Sequence, residues 1–342
     1  MGGGMGEDRP TLPATAPAPI PTPDAVSPPL IVSSIAVASL PEEPNVAVAL
    51  SAVSWRALRR NRLARHLLLN PLHFVGTLIV LLVLALAAVG PLLAPYSPIV
   101  PDYASMLAGP THAHPFGTDF IGDDILSRVL AGARLSVGTA LAVLALAAGI
   151  GLPLGAVAGL AGGWTDEIIM RVADMFLAFP ALILALVVAA TLGPGQVSAA
   201  VALAVAFWPV YTRLLRGQVL VLKGSEYVDA ARALGVSNTR LLWRHILPNA
   251  LGPLVVQLSL DMGNALLNVA ALSFIGLGAQ PPSPEWGAMI VSARDYIRTA
   301  WWTAAFPGLA ISLAVLGFNV LGDGLRDALD PRSTGRGERR AR

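Results

Sequence analysis

Long apolar stretches alternate with short polar ones along most of this chain. A helix needs about 20 apolar residues to cross a bilayer. Six segments reach or approach that length: Phe74–Ala94, Leu135–Leu160, Val172–Leu192, Gln196–Leu215, Leu251–Leu277 and Ala304–Leu321. The third and fourth lie in one charge-free run from Met175 to Thr212. Gly193-Pro-Gly195 divides that run, because the tripeptide cannot continue a helix. The pattern predicts an all-α membrane protein with six transmembrane helices and both termini on one side.

Charge decides which side. Lys and Arg residues next to spans favour the cytoplasm. Arg56, Arg59, Arg60, Arg62 and Arg65 precede the first span. Arg213, Arg216, Lys223, Arg232, Arg240 and Arg244 fall at the end of the fourth and before the fifth. Arg326, Arg332, Arg336, Arg339, Arg340 and Arg342 follow the sixth, and Arg171 belongs to the same side. The opposite loops hold only Arg128, Arg134, Arg294 and Arg298. That distribution, 18 against 4, places the termini and residues 216–249 in the cytoplasm. Only 13% of the residues are charged, against about 25% in soluble domains. The net charge of +2 is too small to imply nucleic acid, and the absence of cysteine rules out disulfides and thiolate chemistry.

Residues 1–54 are rich in Pro and Ala and are read as a disordered extension. Ile31–Leu40 is apolar but too short to span, and no basic stretch precedes it as in a signal peptide. Residues 55–94 form the basic flank and first span, 95–134 an outer loop, 135–322 a five-helix core and 323–342 a basic tail. In the outer loop, His112, His114, Asp119, Asp123 and Asp124 raise the idea of a metal site, but their spacing fits no metal motif. The preferred reading is that Asp123 and Asp124 enrich the first turn of an amphipathic surface helix, Ile125–Ala131. Trp301 and Trp302 read as an interfacial anchor. Arg171 and Asp174 read as a local ion pair.

The polar segment from Gly224 to Asn249 sits between two apolar spans. Ser225 is positioned to cap a helix over Glu226–Leu234, with Glu226 and Asp229 at its positive end. Gly235 suits the residue that ends a helix. Ser237 then caps a second helix, Asn238–Leu247, followed by Pro248. Ala230, Ala231 and Ala233 keep the first helix thin, so another body can approach it. In the fifth span, Gln257, Asp261, Asn264 and Asn268 are spaced by four, three and four residues and share one face. A carboxylate at that depth costs about 2.5 kcal/mol or more unless it meets water or a partner. The stripe therefore lines a wet path or joins helices, and Asn319 and Asp323 are weaker candidates of the same kind. No catalytic constellation is present. The one lysine, Lys223, is followed by Gly and Ser, so there is no phosphate-binding loop.

Asp229-Ala-Ala-x-x-x-Gly235, followed by His245-x-Leu-Pro248, resembles the Glu-Ala-Ala loop of bacterial ABC importer permeases. The likeness extends over about residues 55 to 331. It includes His114-Pro-Phe-Gly-Thr-Asp119, Leu126-Ser-Arg128, Gly132-Ala-Arg134, Arg171-Val-Ala-Asp174 with Leu177-Ala-Phe-Pro180, Leu272-Ser-Phe-Ile-Gly-Leu-Gly278, Gln280-Pro-Pro282 and Trp286-Gly287. These motifs are similar to those of the second, "C-type" permease of the dipeptide, oligopeptide and nickel branch. Four positions depart from the pattern: Asp229 for Glu, His245 for Ile, Asp123 for Arg and Val269 for Glu.

The resemblance implies a multi-pass subunit of the bacterial cytoplasmic membrane. Glu226, Asp229, Ala230, Ala231, Gly235, His245, Leu247 and Pro248 would couple it to ATPases. Its implied partners are a homologous permease, two cytoplasmic ATPase subunits, an extracytoplasmic solute-binding protein and membrane lipid. ATP and Mg²⁺ would sit on the ATPases, with no cofactor and no enzymatic activity in this chain. Peptide is the implied cargo, with a nickel chelate or another peptide-like solute as the alternative. A stand-alone secondary carrier and a membrane scaffold are the rival classes.

Overall fold

The computed structural model describes residue 67 and residues 70–329. The Pro/Ala-rich extension, the basic flank around Arg56–Arg65 and the tail beyond residue 329 lie outside the described residues. Among the described residues the secondary structure is helical, apart from an isolated bridge between Thr118 and Asp124. In chain order the helices are α1 (Pro71–Leu93), α2 (Ile125–Ala161), α3 (Gly163–Leu177), α4 (Ala181–Leu192), α5 (Gln196–Lys223), α6 (Glu226–Ala233), α7 (Asn238–Leu241), α8 (Leu247–Phe274), α9 (Trp286–Ala293) and α10 (Trp302–Leu329). Five continuous helical stretches are long and apolar enough to cross a membrane, and the pair α3 and α4 brings the number to six.

The helix starts follow local chemistry. Asn70 caps α1 by accepting from the Leu72 amide, and Pro71 occupies the first turn, where its missing N–H costs nothing. Asp124 caps α2 through the Ser127 amide and hydroxyl. Ile125–Ala131 is thus not a separate surface helix. It forms the first turns of a 37-residue helix, and Ile125, Val129 and Ala131 are buried. Apolar burial inside the bundle outweighs the amphipathic pattern that suggested a membrane-surface position.

The third predicted span is not one helix. α3 and α4 meet at 88° across Ala178–Pro180. Proline disfavours helical backbone at the residue before it, so the chain turns at Phe179. The second helix of the 224–249 segment also departs from expectation. It does not stop at Pro248. α7 passes through a π-helical turn, Leu242–Ile246, directly into α8. Pro248 lies in the first turn of α8, where its missing donor is tolerated.

The most extensive helix pairing is α2 with α5. A Cβ on Gly151 would lie 2.4 Å from the Trp208 carbonyl oxygen, one on Gly155 2.4 Å from that of Thr212, and one on Gly159 2.7 Å from the Val219 side chain. The three glycines are four residues apart, so they form a stripe against which α5 lies backbone to backbone. Apolar burial does not drive helices together in lipid, and close packing over small residues takes its place. Around this contact the main core collects Val143, Leu144, Ala147, Leu203, Tyr211, Met262 and Leu266.

Gly138, on the same helix, has nothing within 4 Å of an added Cβ. Gly155→Ala is expected to destabilise the solubilised protein by about 1–3 kcal/mol through overpacking. Gly138→Ala is expected to be neutral or stabilising by up to about 1 kcal/mol. Thermal unfolding of the two variants side by side checks this.

Candidate functional site

The segment after α5 folds as a compact unit. α6 opens at Ser225, whose backbone is extended as a cap requires, although its hydroxyl donates to the Leu222 carbonyl rather than capping α6. Gly235 has φ +78, a conformation that side-chain-bearing residues rarely adopt, and no neighbour lies within 4 Å of an added Cβ. The requirement for glycine there is conformational, not steric. Val228, Ala231, Leu241 and Ile246 form a second core with Ala156 of α2, Leu215 and Val219 of α5, and Ala250 and Leu254 of α8. Tyr227 and Asn249 join the two limbs through a 3.4 Å contact.

This core divides the predicted coupling residues. Glu226, Asp229, Ala230, Gly235 and Pro248 are exposed, while His245 and Leu247 are half-buried. Ala231 is only 8% exposed. It does not belong to the thin outer face as expected, because it packs into the second core. Ala230 and Ala233 form that face, flanked by Tyr227 and by Leu234 at 85% exposure. Asp229 pairs with Arg232 at 3.4 Å.

The polar stripe of α8 also divides. Asp261 Oδ2 accepts from Tyr211 Oη on α5 at 2.9 Å and from Gln257 Nε2 at 3.0 Å. Tyr211 is fully buried. This half of the stripe joins α5 to α8. The other half is open. Asn264 is exposed, Asn268 is half-buried and bonds back to the Asn264 carbonyl at 2.7 Å. Beside them an apolar groove of about 400 Å³ is lined by Leu267, Ala271, Phe274 and Ile290, among others. Asn319 is exposed and approaches Gly263, the neighbour of Asn264, while Asp323 is exposed near the end of α10.

At the opposite end of the bundle, several short motifs converge. Arg128, 6% exposed, pairs with Asp123 and lies 3.6 Å from Asp119. Burial pushes both carboxyls upward, and the Arg128 guanidinium opposes that shift. His114 Nδ1 lies 3.0 Å from Asp124. His112 is exposed, and among the described residues no three metal-binding side chains are grouped. His114, Asp119, Asp123 and Asp124 instead take part in turn and cap bonds or ion pairs. Trp302 Nε1 donates to the Thr118 carbonyl at 3.0 Å, so it ties the loop to α10 in addition to any interfacial role. The expected Arg171–Asp174 pair does not form. Arg171 pairs with Glu167, and Asp174 with Arg213.

Sequence reading passed over Glu285. Its carboxylate is 1% exposed and accepts from the Gly287 and Ala288 amides at 3.0 and 2.9 Å, and from Ser136 Oγ at 3.1 Å. Gly132 admits the Pro284 carbonyl, which would lie 2.1 Å from an added Cβ. The signal was an acid directly before the short apolar helix Trp286–Ala293, the pattern of a capped start.

The helices are long and apolar enough to cross a membrane, and a compact helix–glycine–helix unit lies at one end of the bundle, the pattern of a multi-pass membrane protein. Residues 151–335 match the family described as binding-protein-dependent transport system inner membrane component, and the chain belongs to it. It is 47% identical to the probable D,D-dipeptide transport system permease protein DdpC of Escherichia coli, over 78% of this chain and 90% of that protein. It is 41% identical to the dipeptide transport system permease protein DppC of Alkalihalophilus pseudofirmus, over 92% and 97%. It is 44% identical to the glutathione transport system permease protein GsiD of Pectobacterium atrosepticum, over 81% and 91%. Among solved structures, a chain of the inward-facing MetNI methionine ABC transporter aligns with TM-score 0.49 and 19% identity, over 59% of this chain and 96% of that one.

The split of the α8 stripe has a direct consequence. Asp261→Leu leaves the buried Tyr211 hydroxyl without its acceptor, a loss of about 1–3 kcal/mol. The expected result is less assembled protein in the membrane. Asn264→Leu removes an exposed amide and should leave the amount unchanged. Quantitative detection of both variants in membranes checks the contrast.

Proposed function

We propose that this chain is one of two homologous permease subunits of an ATP-driven importer for peptides. The carrying observation is the 224–249 unit. It shares a second core with α2, α5 and α8, it continues both α5 and α8, and it presents a thin outer face of Tyr227, Ala230, Ala233 and Leu234. Such a unit can receive a push on that face and pass it to two spans at once, which an irregular connector cannot do. In this reading Glu226, Asp229, Ala230, Gly235, His245, Leu247 and Pro248 form or frame the contact with a cytoplasmic ATPase, and Ala231 holds the contact helix to the spans behind it. Two ATPase subunits carry ATP and Mg²⁺. An extracytoplasmic binding protein delivers the cargo.

The family description supports an inner-membrane location, and the distribution of Lys and Arg supports both termini and residues 216–249 facing the cytoplasm. The names of the relatives favour a peptide-like cargo over a nickel chelate. Asn264 is exposed on α8, which supports its facing the path between the two permeases, with Asn268 one turn further along the same face. Gln257 and Asp261 serve that path by fixing α8 against α5. A secondary carrier or a scaffold would have no use for a separate docking unit.

The test is uptake of a radiolabelled dipeptide by liposomes holding the complete complex, together with the amount of ATPase that co-purifies. Gly235→Pro fixes φ near −65° and should abolish uptake while the chain still inserts. Gly235→Asn tolerates the left-handed conformation and should retain most of it. Ala230→Arg thickens the outer face and should release the ATPases. Normal uptake and normal co-purification by Gly235→Pro and Ala230→Arg would remove the docking reading.

A further inference from the structure

α5 runs directly into the docking unit, and it carries three cations on one face near that end. Arg213, Arg216 and Lys223 are separated by three and seven residues, which brings them within roughly a quarter-turn of one another at 3.6 residues per turn. Each reaches towards the segment that follows the glycine stripe of α2. Lys223 Nζ donates to the carbonyl oxygens of Leu160 at 2.8 Å and Gly159 at 3.4 Å. These belong to the last turn of α2, where carbonyls lack helical partners. Arg216 holds Asp166 with two bonds, Nε to Oδ1 at 2.5 Å and Nη2 to Oδ2 at 2.6 Å. Arg213 pairs with Asp174.

Asp166 and Asp174 both lie on α3, eight residues or about 12 Å apart along the helix. α3 is therefore fastened to α5 at two points and has no single pivot about which to swing. The two pairs are unequal. Arg213–Asp174 is half-exposed, and such pairs hold little alone. Arg216–Asp166 is bidentate and its carboxylate is 16% exposed, the geometry of the stronger kind. Beyond Leu177 the helix ends, the chain turns by 88°, and α4 packs against α5 through apolar residues such as Ala185 and Ala189 instead of ion pairs.

We infer that Arg213, Arg216 and Lys223 are positioning residues that make α2, α3 and α5 move as one body with the docking unit. A push received by α6 is then delivered to α3 through these charge pairs. This assignment rests on reading residues 224–249 as the ATPase contact. It adds a second route out of that contact, sideways into the broken span, beside the direct routes along α5 and α8.

The test uses the complete complex in liposomes. The chain has no cysteine, so a pair of introduced cysteines carries the only labels on this subunit. Spin labels at Glu167→Cys on α3 and Thr239→Cys in the docking unit report their separation by pulsed dipolar spectroscopy. Measurements are made without nucleotide and with ATP and vanadate. The expected result is one narrow distance, the same in both states. Asp166→Arg and Arg216→Asp should each split or shift that distance when ATP and vanadate are added. They should lower dipeptide uptake per ATP hydrolysed by about tenfold, within the usual range of coupling between sites, with the ATPases still bound and active. The double reversal, Asp166→Arg with Arg216→Asp, should restore both readouts, because only the charge pair is rebuilt.

A separation that differs between the two states in the otherwise unchanged complex would overturn the inference. So would single reversals that alter nothing, that fail to assemble with the ATPases, or that the double reversal does not rescue. The docking reading fails by a different sign, namely normal uptake by Gly235→Pro. If Gly235→Pro is inactive and the reversals behave as the unaltered chain, the fault lies in the fastening of α3 alone.

Discussion

The backbone-to-backbone approach of α2 and α5 over Gly151, Gly155 and Gly159 is the contact on which the rest of this bundle depends. In lipid, two helices gain little from hiding apolar side chains from each other, because the surrounding tails are equally apolar. They gain from packing density, and three glycines on one face give the closest packing available. The second core is built on that base. Ala156 lies between two of the glycines, and Leu215 and Val219 face them from α5. Val228 and Ala231 of α6 rest on these residues. The seat of residues 224–249 on the bundle therefore rests on the helices that the glycine stripe brings together.

Polar side chains inside the apolar layer obey a second constraint: each must be bonded or must face water. Asp261 is bonded, to Tyr211 and Gln257. Asn264 is left open. One helix face thus serves two purposes along its length, holding the bundle in one half and offering an uncovered polar surface in the other. At the far end, Asp119, Asp123 and Glu285 are buried acids whose partners lie in other motifs or in a helix start. Arg128 also approaches the Pro282 and Ser283 carbonyls at 3.5 Å, so motifs more than 150 residues apart meet at one side chain.

Much of this order was legible in the sequence. Apolar runs fixed the spans to within a few residues at most ends, and Gly193-Pro-Gly195 separated α4 from α5 as its composition required. Gly235 marked the joint within residues 224–249 through local backbone chemistry, and Ser225 and Ser237 stand at the two helix starts with extended backbone, although neither side chain makes the expected cap bond. What could not be read depended on neighbours in space. Ala230 and Ala231 are identical residues side by side, and only the core behind α6 decides that one is outside and the other inside. Asp174 had a suitable partner three residues away in Arg171, yet the partner it uses, Arg213, lies across the bundle. The 88° turn after Leu177 left only Phe179-Pro180 as a clue within an apolar run that reads as a single span. Pro248 looked like a stop and proved to be a start, because a π-helical turn carries the helix up to it.

The central claim is that one face of residues 224–249 meets an ATPase while the other is built into the bundle. Site-by-site photocrosslinking in the assembled complex tests this most directly, with a photoreactive residue placed singly at positions 227, 228, 230, 231 and 233. The account predicts adducts with the ATPase subunit from 227, 230 and 233, and none from 228 or 231, which face the second core. Adducts from all five positions alike, or none to the ATPase from 227, 230 and 233, would contradict it.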